Sequence, residues 1–230
     1  MIKLYDLTTA ESNRRFSPYC WRVKMALKHK QLPFEEIPCL FTDKELIAFS
    51  GQKKVPILVD GEQTIIDSWD IANYLETTYN NQPSLFGSEQ GKSFALFIKF
   101  WIEESIQGII FKIVLLDLFE QLNPSEKAYF RTTREQFLGM TLEEFASPTD
   151  ETITLLRNSL KPLGEMVNYQ PYLGGKTPNF ADYIAFAPFQ WARVMSPIPL
   201  LTLDDPVYLW RERLLSEFDG YAKQAIGYDV

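Results

Sequence analysis

The chain has 230 residues, 46% of them hydrophobic, which is enough to build a core in one large domain or in two modest ones. Its formal net charge of −7 at pH 7 disfavours nucleic acid as a partner, because neutralising phosphate groups requires clustered Lys and Arg. Only two cysteines and one histidine occur, which leaves little for a zinc site, a CxxC redox pair or a Ser-His triad, and no bound metal is expected.

Residues 1–80 alternate short strand-like runs with helix-like runs, a pattern typical of one small sheet covered by helices. The strongest local signal is Asp60-Gly61, which predicts a two-residue turn between antiparallel strands. The predicted elements are a strand from Ile2 to Tyr5, a helix from Ser17 to Lys30, a strand from Leu32 to Pro38, strands from Pro56 to Val59 and from Gln63 to Ile66, and a helix from Ser68 to Tyr79.

Residues 81–91 are polar and rich in turn formers, so we expect them to link the first domain to a second one. No convincing hairpin follows, and residues 92–230 are predicted to form an all-helical domain. Asn179 and Asp182 have the spacing of a capping box, which predicts the start of a buried helix. The predicted helices run from Gly91 to Glu120, from Ser147 to about Asn168, from Asn179 to Ala192 and from Pro206 to Phe218.

The helix from Ser17 has two apolar faces when its residues are projected at about 100° each. Cys20 and Leu27 lie on one face, and Trp21 and Met25 lie on roughly the opposite side. Apolar residues on two faces indicate that the helix is covered on both sides. We therefore expect one face to contact the sheet and the other to contact the second domain directly.

Ser17 lies where the loop after the first strand meets the N-terminus of this helix, and Pro18 takes the first helical position. Free backbone N–H groups and the helix dipole favour an anion at such a place, and the serine hydroxyl can donate a hydrogen bond to it. The alternative is that Ser17 only caps the helix.

Two further junctions suit a peptide-like ligand with charged ends. Val55-Pro56 stands immediately before a predicted strand, where a cis peptide bond would turn the Val55 backbone outward for strand-like pairing. Asp67-Ser68 begins the next helix, where Ser68 can hold a carboxylate and Asp67 can pair with an ammonium group. A trans proline and a plain helix cap are the alternatives.

These three features have the order and spacing of the glutathione transferase superfamily, which the chain resembles over nearly its whole length. The strings SPYCWRVKMALKHK, KKVPILVDG and DSWDIANYL resemble the family's active-site helix, cis-proline loop and γ-glutamyl motif. The resemblance implies a thioredoxin-like α/β N-terminal domain, an all-α C-terminal domain, glutathione as the co-substrate and a homodimer. The first and third strings are most similar to the serine-type, etherase-like transferases, which include lignin β-etherases and fungal relatives.

Each matching residue takes the role that the resemblance implies. Ser17 is the implied catalytic residue, and the implied glutathione-binding residues are Val55, Pro56, Asp67 and Ser68. Lys53 and Lys54 precede this loop and could reach the glycyl carboxylate of glutathione, and Lys54 is the candidate for that contact. A thiol with an ordinary pKa near 8.5 is only a few per cent ionised at neutral pH. A shift of roughly two units, or about 2.7 kcal/mol, would let the thiolate attack a hydrophobic electrophile, with an aromatic ether as one candidate.

The pocket for the second substrate is expected in the helical domain, beside the start of the first helix. The candidate residues are Tyr19, Phe97, Trp101 and Trp191. Aromatic residues at helical spacing are also common in cores. A non-catalytic carrier of a hydrophobic ligand is therefore an alternative function, and turnover with an electrophile separates it from a transferase.

Cys20 supports a different enzymatic alternative. A reactive thiol near this helix start would form mixed disulfides with glutathione, as in thiol transferases or dehydroascorbate reductases. Its position among Val23 and Leu27 favours a buried structural cysteine instead. His29 stands in a charged segment and is predicted to be a surface residue.

The N-terminal residues lack the apolar segment of a signal peptide, and no later run approaches about 18 uninterrupted apolar residues. We therefore expect a cytoplasmic protein with no membrane partner.

Overall fold

A computed structural model describes residues 1–230, and it contains a single four-stranded sheet. The strands are β1 (Ile2–Leu7), β2 (Phe34–Cys39), β3 (Ile57–Asp60) and β4 (Gln63–Ile66). Their order is β2-β1-β3-β4, with β1 parallel to β2, and with β3 antiparallel to both β1 and β4. The predicted hairpin is confirmed, since Asp60 pairs with Gln63 and Gly61 takes a left-handed φ of 58° in the turn.

Two helices, α1 (Pro18–His29) and α2 (Ser68–Thr78), belong to the α/β part, and a short 3₁₀ turn, Ala48–Ser50, lies between β2 and β3. The rest of the chain is helical, which confirms the expected fold class. Its helices are α3 (Glu89–Trp101), α4 (Gln107–Glu120), α5 (Pro124–Leu138), α6 (Leu142–Phe145), α7 (Asp150–Ser159), α8 (Lys161–Tyr169), α9 (Phe180–Met195) and α10 (Pro206–Gly220). None of them combines the length and the apolar character that crossing a bilayer requires.

Helix α1 is covered on both sides, as the two apolar faces predicted. It contacts β1 and α2 in its own domain and packs against α9 of the helical domain. Every residue from Cys20 to Leu27 is buried. As a result, one apolar cluster of 50 buried residues runs without a break from the sheet into the helical domain.

The start of α9 is held by a fully buried carboxylate. Asp182 Oδ1 accepts hydrogen bonds from Leu173 N at 2.7 Å and from Trp210 Nε1 at 2.9 Å. Its Oδ2 accepts from Gly174 N at 2.9 Å and from Asn179 N at 3.0 Å. Burial raises the pKa of Asp182, although these four hydrogen bonds act in the opposite direction. The capping box predicted from the sequence is confirmed, and it extends to a tryptophan of α10.

Two predictions about the helical domain were wrong or incomplete. The single helix expected from Ser147 to about Asn168 is divided into α7 and α8, which meet at Leu160. Pro162 lies at the start of α8, where it has no N–H to continue the hydrogen bonds of α7. No element was predicted for residues 121–146, where α5 and α6 occur, although the Asn123 side chain caps α5 just before a proline.

The prediction that His29 is a surface residue was also wrong. Its Nδ1 lies 2.6 Å from the Tyr183 hydroxyl, and its Nε2 lies 3.0 Å from the carbonyl oxygen of Ser84. Burial lowers the pKa of His29 from its ordinary value. The end of α1 packs on α9, so this histidine joins the two domains.

Candidate functional site

A cleft of about 350 Å³ lies at the start of α1 and α2, beside the loop before β3 and the end of α3. Its lining residues are Tyr19, Gln52, Lys54, Val55, Pro56, Ile66, Asp67, Ser68, Lys99 and Glu103. All five residues that were predicted to bind glutathione are among them. Four further lining residues were not predicted as site residues: Gln52, Ile66, Lys99 and Glu103.

The Val55 backbone is open for pairing in this cleft. The Val55–Pro56 peptide bond is cis, as the sequence predicted, and strand β3 begins only at Ile57. The N–H and the C=O of Val55 make no hydrogen bond within the chain. A peptide-like ligand can therefore satisfy both groups in the manner of an added strand.

The start of α2 forms the end of the cleft. Asp67 has a positive φ of 65° with an extended ψ of 135°, and its Oδ1 accepts a hydrogen bond from Trp69 N at 2.7 Å. Ser68 follows as a buried residue whose hydroxyl and backbone N–H have no partner in the protein. Free donors at a helix N-terminus favour a carboxylate, and the exposed Asp67 carboxylate is free to meet a cation.

Ser17 is only 5% exposed and is not among the residues that line the cleft. Its hydroxyl oxygen accepts the N–H of Cys20 at 3.3 Å, so it caps α1. The backbone N–H of Tyr19 has no hydrogen-bond partner. Ser17 and this free N–H together give the N-terminus of α1 the donors that an anion requires.

Both thiols of the chain are buried. Cys20 donates to the carbonyl oxygen of Tyr5 at 3.9 Å, on the sheet side of α1. Burial and the negative charge of Asp6 raise the pKa of Cys20 well above its usual value. Burial likewise raises the pKa of Cys39 to about 12. Neither cysteine has the exposure or the thiolate character of a reactive one.

A cluster of charges forms the side of the cleft at the end of α3, where Glu103 lies in the turn Ile102–Ile106 that follows this helix. Glu103 accepts hydrogen bonds from Arg22 at 2.6 Å and from Lys99 at 2.9 Å. Burial alone would raise the pKa of Glu103, but these two cations outweigh it and the pKa is lowered. The Arg22 guanidinium is buried and stands 4.8 Å from the centre of the Tyr19 ring.

The Tyr19 hydroxyl is held from the other domain. Gln107 Nε2 donates a hydrogen bond to it at 3.0 Å. Gln107 and Phe111 are four residues apart in α4 and lie on one face of it. Phe111 stacks on Trp191, with ring centres 5.8 Å apart and planes inclined by 27°. This face therefore carries polar groups beside the cleft and aromatic groups one turn farther along.

Only Tyr19 among the four residues predicted for the second substrate lines the cleft. Phe97 is 64% exposed on the outside of α3. Trp101 is half-buried and packs against the core, and Trp191 is buried in its stack with Phe111. No group of three or more His, Cys, Asp or Glu side chains is arranged to hold a metal ion.

Comparison with known families gives two matches that together span both domains. The model described as "Glutathione S-transferase, N-terminal domain" matches residues 12–83. The model described as "Glutathione S-transferase, C-terminal domain" matches residues 93–198.

Individual proteins share less than 30% of their residues with this chain in the following comparisons. Glutathione S-transferase U2 of Arabidopsis thaliana is 29% identical over 182 residues, which is 77% of this chain and 68% of that protein. The solved structure of a glutathione transferase from Phanerochaete chrysosporium has a TM-score of 0.77 and 26% identity, covering 96% of this chain and 93% of the other. A glutathione S-transferase of Ceriporiopsis subvermispora, solved in complex with glutathione, has a TM-score of 0.83 and covers 96% and 97%, and at 24% identity it shows the fold alone.

Proposed function

The chain belongs to the glutathione S-transferase superfamily and is a glutathione transferase, and we propose that it uses Ser17 to activate the glutathione thiol for attack on an electrophile. We place this chemistry in the cytoplasm, in the detoxification of reactive small molecules.

The observation that carries the proposal is the unpaired Val55 backbone in one cleft with Lys54 and the Asp67–Ser68 helix start. Glutathione is a tripeptide with a γ-glutamyl end that bears an ammonium and a carboxylate, and a glycyl end that bears a second carboxylate. In the proposed pose, Ser68 and Asp67 hold the γ-glutamyl end, the Val55 backbone pairs with the central residue, and Lys54 meets the glycyl carboxylate. The relative from Ceriporiopsis subvermispora, of the same fold, was solved with glutathione bound.

The proposed role of Ser17 is to stabilise the thiolate. Its hydroxyl donates a hydrogen bond to the sulfur, and the free N–H of Tyr19 and the dipole of α1 add positive potential. Each of these interactions favours the ionised thiol and lowers its pKa. Ser17 does not remove the proton itself, so it acts on the nucleophile as an electrostatic partner.

The second substrate should bind between Tyr19 and the face of α4 that carries Gln107 and Phe111. Aromatic groups on that face favour a hydrophobic electrophile, and the buried Trp191 supports the stack from α9. The etherase-like strings of the first domain favour an aromatic ether as one candidate. Phe97 and Trp101 do not face the cleft and are left out of this pocket.

The redox alternative is not favoured. Cys20 is fully buried with a raised pKa, so it cannot provide a thiolate to a bound disulfide.

The carrier alternative predicts ligand binding without turnover. Isothermal titration with glutathione, followed by turnover of a panel of electrophiles, separates these functions. Binding with conjugation supports the proposal, whereas a chain that binds neither glutathione nor its thioether products contradicts it.

The Asp67→Asn variant should raise the Michaelis constant for glutathione about 10- to 100-fold, because loss of a charge-assisted contact costs roughly 1.5 to 3 kcal/mol. Asn still caps α2 and tolerates a positive φ, so the change isolates the charge. The proposed contact between Asp67 and the ammonium group of glutathione is the same before and during attack. The turnover number at saturating glutathione should therefore stay unchanged.

The measurement varies glutathione at saturating electrophile. Asp70→Asn is the matched control, since Asp70 is an exposed residue of the same helix start that does not line the cleft. A turnover number that collapses in Asp67→Asn at an unchanged Michaelis constant would show that Asp67 acts in the chemical step.

We also propose a homodimer in which the first domain of one subunit meets α3 of the other. Phe97 and Phe100 on α3 are 64% and 54% exposed, and Phe49 in the first domain is 54% exposed. Large aromatic side chains that are exposed on a single subunit are typical of surfaces that become buried when two subunits associate.

Sedimentation should accordingly give twice the 26.7 kDa chain mass at micromolar concentration. The Phe100→Asp variant should shift it to a single chain, whereas Phe137→Asp, an 84% exposed site on α5, should leave it unchanged. A wild-type protein that sediments as one chain contradicts the dimer.

A further inference from the structure

The hydrogen bond on the Tyr19 hydroxyl has a direction that bears on the chemistry. Gln107 Nε2 donates and the phenolic oxygen accepts, at 3.0 Å. The hydroxyl makes no second hydrogen bond within the protein, so its own proton remains to be donated. Since Tyr19 lines the cleft, the acceptor for that proton lies among the molecules that enter the cleft.

The ring of Tyr19 is also fixed in place. The buried Arg22 guanidinium packs 4.8 Å from the ring centre, and Glu103 holds the guanidinium at 2.6 Å. Lys99 binds the second oxygen of Glu103 at 2.9 Å. Side chains from both domains therefore hold the phenol of Tyr19, the residue whose free backbone N–H is also proposed to face the thiolate. A donor fixed in this way needs little reorganisation during a reaction.

We propose that Tyr19 donates this hydrogen bond to an oxygen atom at the reacting centre of the second substrate, which makes epoxides and aryl ethers preferred electrophiles. The inference rests on the proposed function, because it requires a glutathione thiolate as the nucleophile. Gln107 is then a positioning residue, since it acts through the Tyr19 hydroxyl.

The reaction with an epoxide shows what the donor contributes. The thiolate sulfur forms a bond to one ring carbon, the C–O bond breaks, and its electron pair goes to the oxygen. The Tyr19 proton moves to that oxygen and gives an alcohol. The tyrosinate then recovers a proton from the solvent, which received one when the thiol ionised. An aryl ether follows the same course, with a phenol as the leaving group.

The experiment compares two electrophiles that differ in the leaving atom, styrene oxide and benzyl chloride. In Tyr19→Phe, the ratio of kcat/KM for styrene oxide to that for benzyl chloride should fall roughly 100-fold, the lower end of what a positioned general acid contributes. Gln107→Glu should lower the same ratio, because a carboxylate accepts the tyrosine proton. Tyr169→Phe, at an 89% exposed site, is the matched control and should leave the ratio unchanged.

A merely structural role would lower both rates and leave their ratio constant, and that result overturns the inference. So does a wild-type enzyme that conjugates benzyl chloride but not styrene oxide, while the proposed function stands in both cases. A wild-type protein that conjugates neither compound overturns the proposed function and this inference with it.

Discussion

Replacing Ser17 with Ala should lower the rate of glutathione conjugation by one to three orders of magnitude, which corresponds to about 1.4 to 4 kcal/mol of lost transition-state stabilisation. The variant loses the hydroxyl proposed to stabilise the thiolate, so the pKa of the bound thiol should rise. Glutathione affinity should change less, because the groups proposed to bind its two ends remain. Ultraviolet titration of the thiolate in the complex and steady-state kinetics measure both effects.

Ser17 also caps α1, so the variant needs a control for lost helix stability. Ser88 caps α3 in the same way, with its hydroxyl accepting Gly91 N at 3.1 Å. Ser88→Ala should cost a similar amount of stability, about 1 kcal/mol, and leave conjugation unaffected. If Ser17→Ala is silent and Cys20→Ser abolishes activity, the thiolate-activation scheme is wrong.

Replacing Asp182 with Ala should lower the free energy of unfolding by about 3 to 5 kcal/mol, a large share of what holds a domain together. Four donors that now bind the carboxylate would lose their partner, three of them backbone N–H groups and one the indole of Trp210. Buried donors without partners cost roughly 1 to 3 kcal/mol each, and loss of the costly buried charge offsets part of that sum. Urea unfolding followed by circular dichroism measures the change.

Asp205 supplies the matched control, because its side chain caps α10 through a single hydrogen bond to Val207 N. Asp205→Ala should cost only about 1 kcal/mol. Trp210→Phe removes just one of the four hydrogen bonds and should remain folded, with a loss smaller than that of Asp182→Ala. Equal losses of unfolding free energy in Asp182→Ala and Asp205→Ala would contradict the conclusion that the Asp182 carboxylate stabilises the fold through four hydrogen bonds.

Short-range signals were enough to predict the first domain. Asp60-Gly61 set the hairpin, and Ser17-Pro18 and Asp67-Ser68 marked the helix starts, because turn and cap preferences act over a few residues. The same logic identified the start of α9 from Asn179 and Asp182. The start of α5 carries an equally local signal, Asn123 before Pro124, although no helix was predicted there.

The side of the cleft where the second substrate is proposed to bind was not predictable in this way. Between α3 and α4 the backbone makes a π-helical turn at Ile102–Ile106. Such a turn adds a residue, which rotates every later side chain by about 100° relative to an ideal projection. Phe97 and Trp101 therefore do not share a face with Gln107 and Phe111, and no sequence pattern places Glu103 beside Arg22.

The packing of α1 between the sheet and α9 limits how this protein can be recombined. A chimera that joins its first 80 residues to the helical half of a relative would keep the residues proposed to bind the γ-glutamyl end, but it would bring together two surfaces that do not fit each other. Substitutions in α1 must therefore be matched in α9. The face of α4 where the second substrate is proposed to bind packs on α9 and not on the sheet, so substitutions there leave the contact between α1 and the sheet in place.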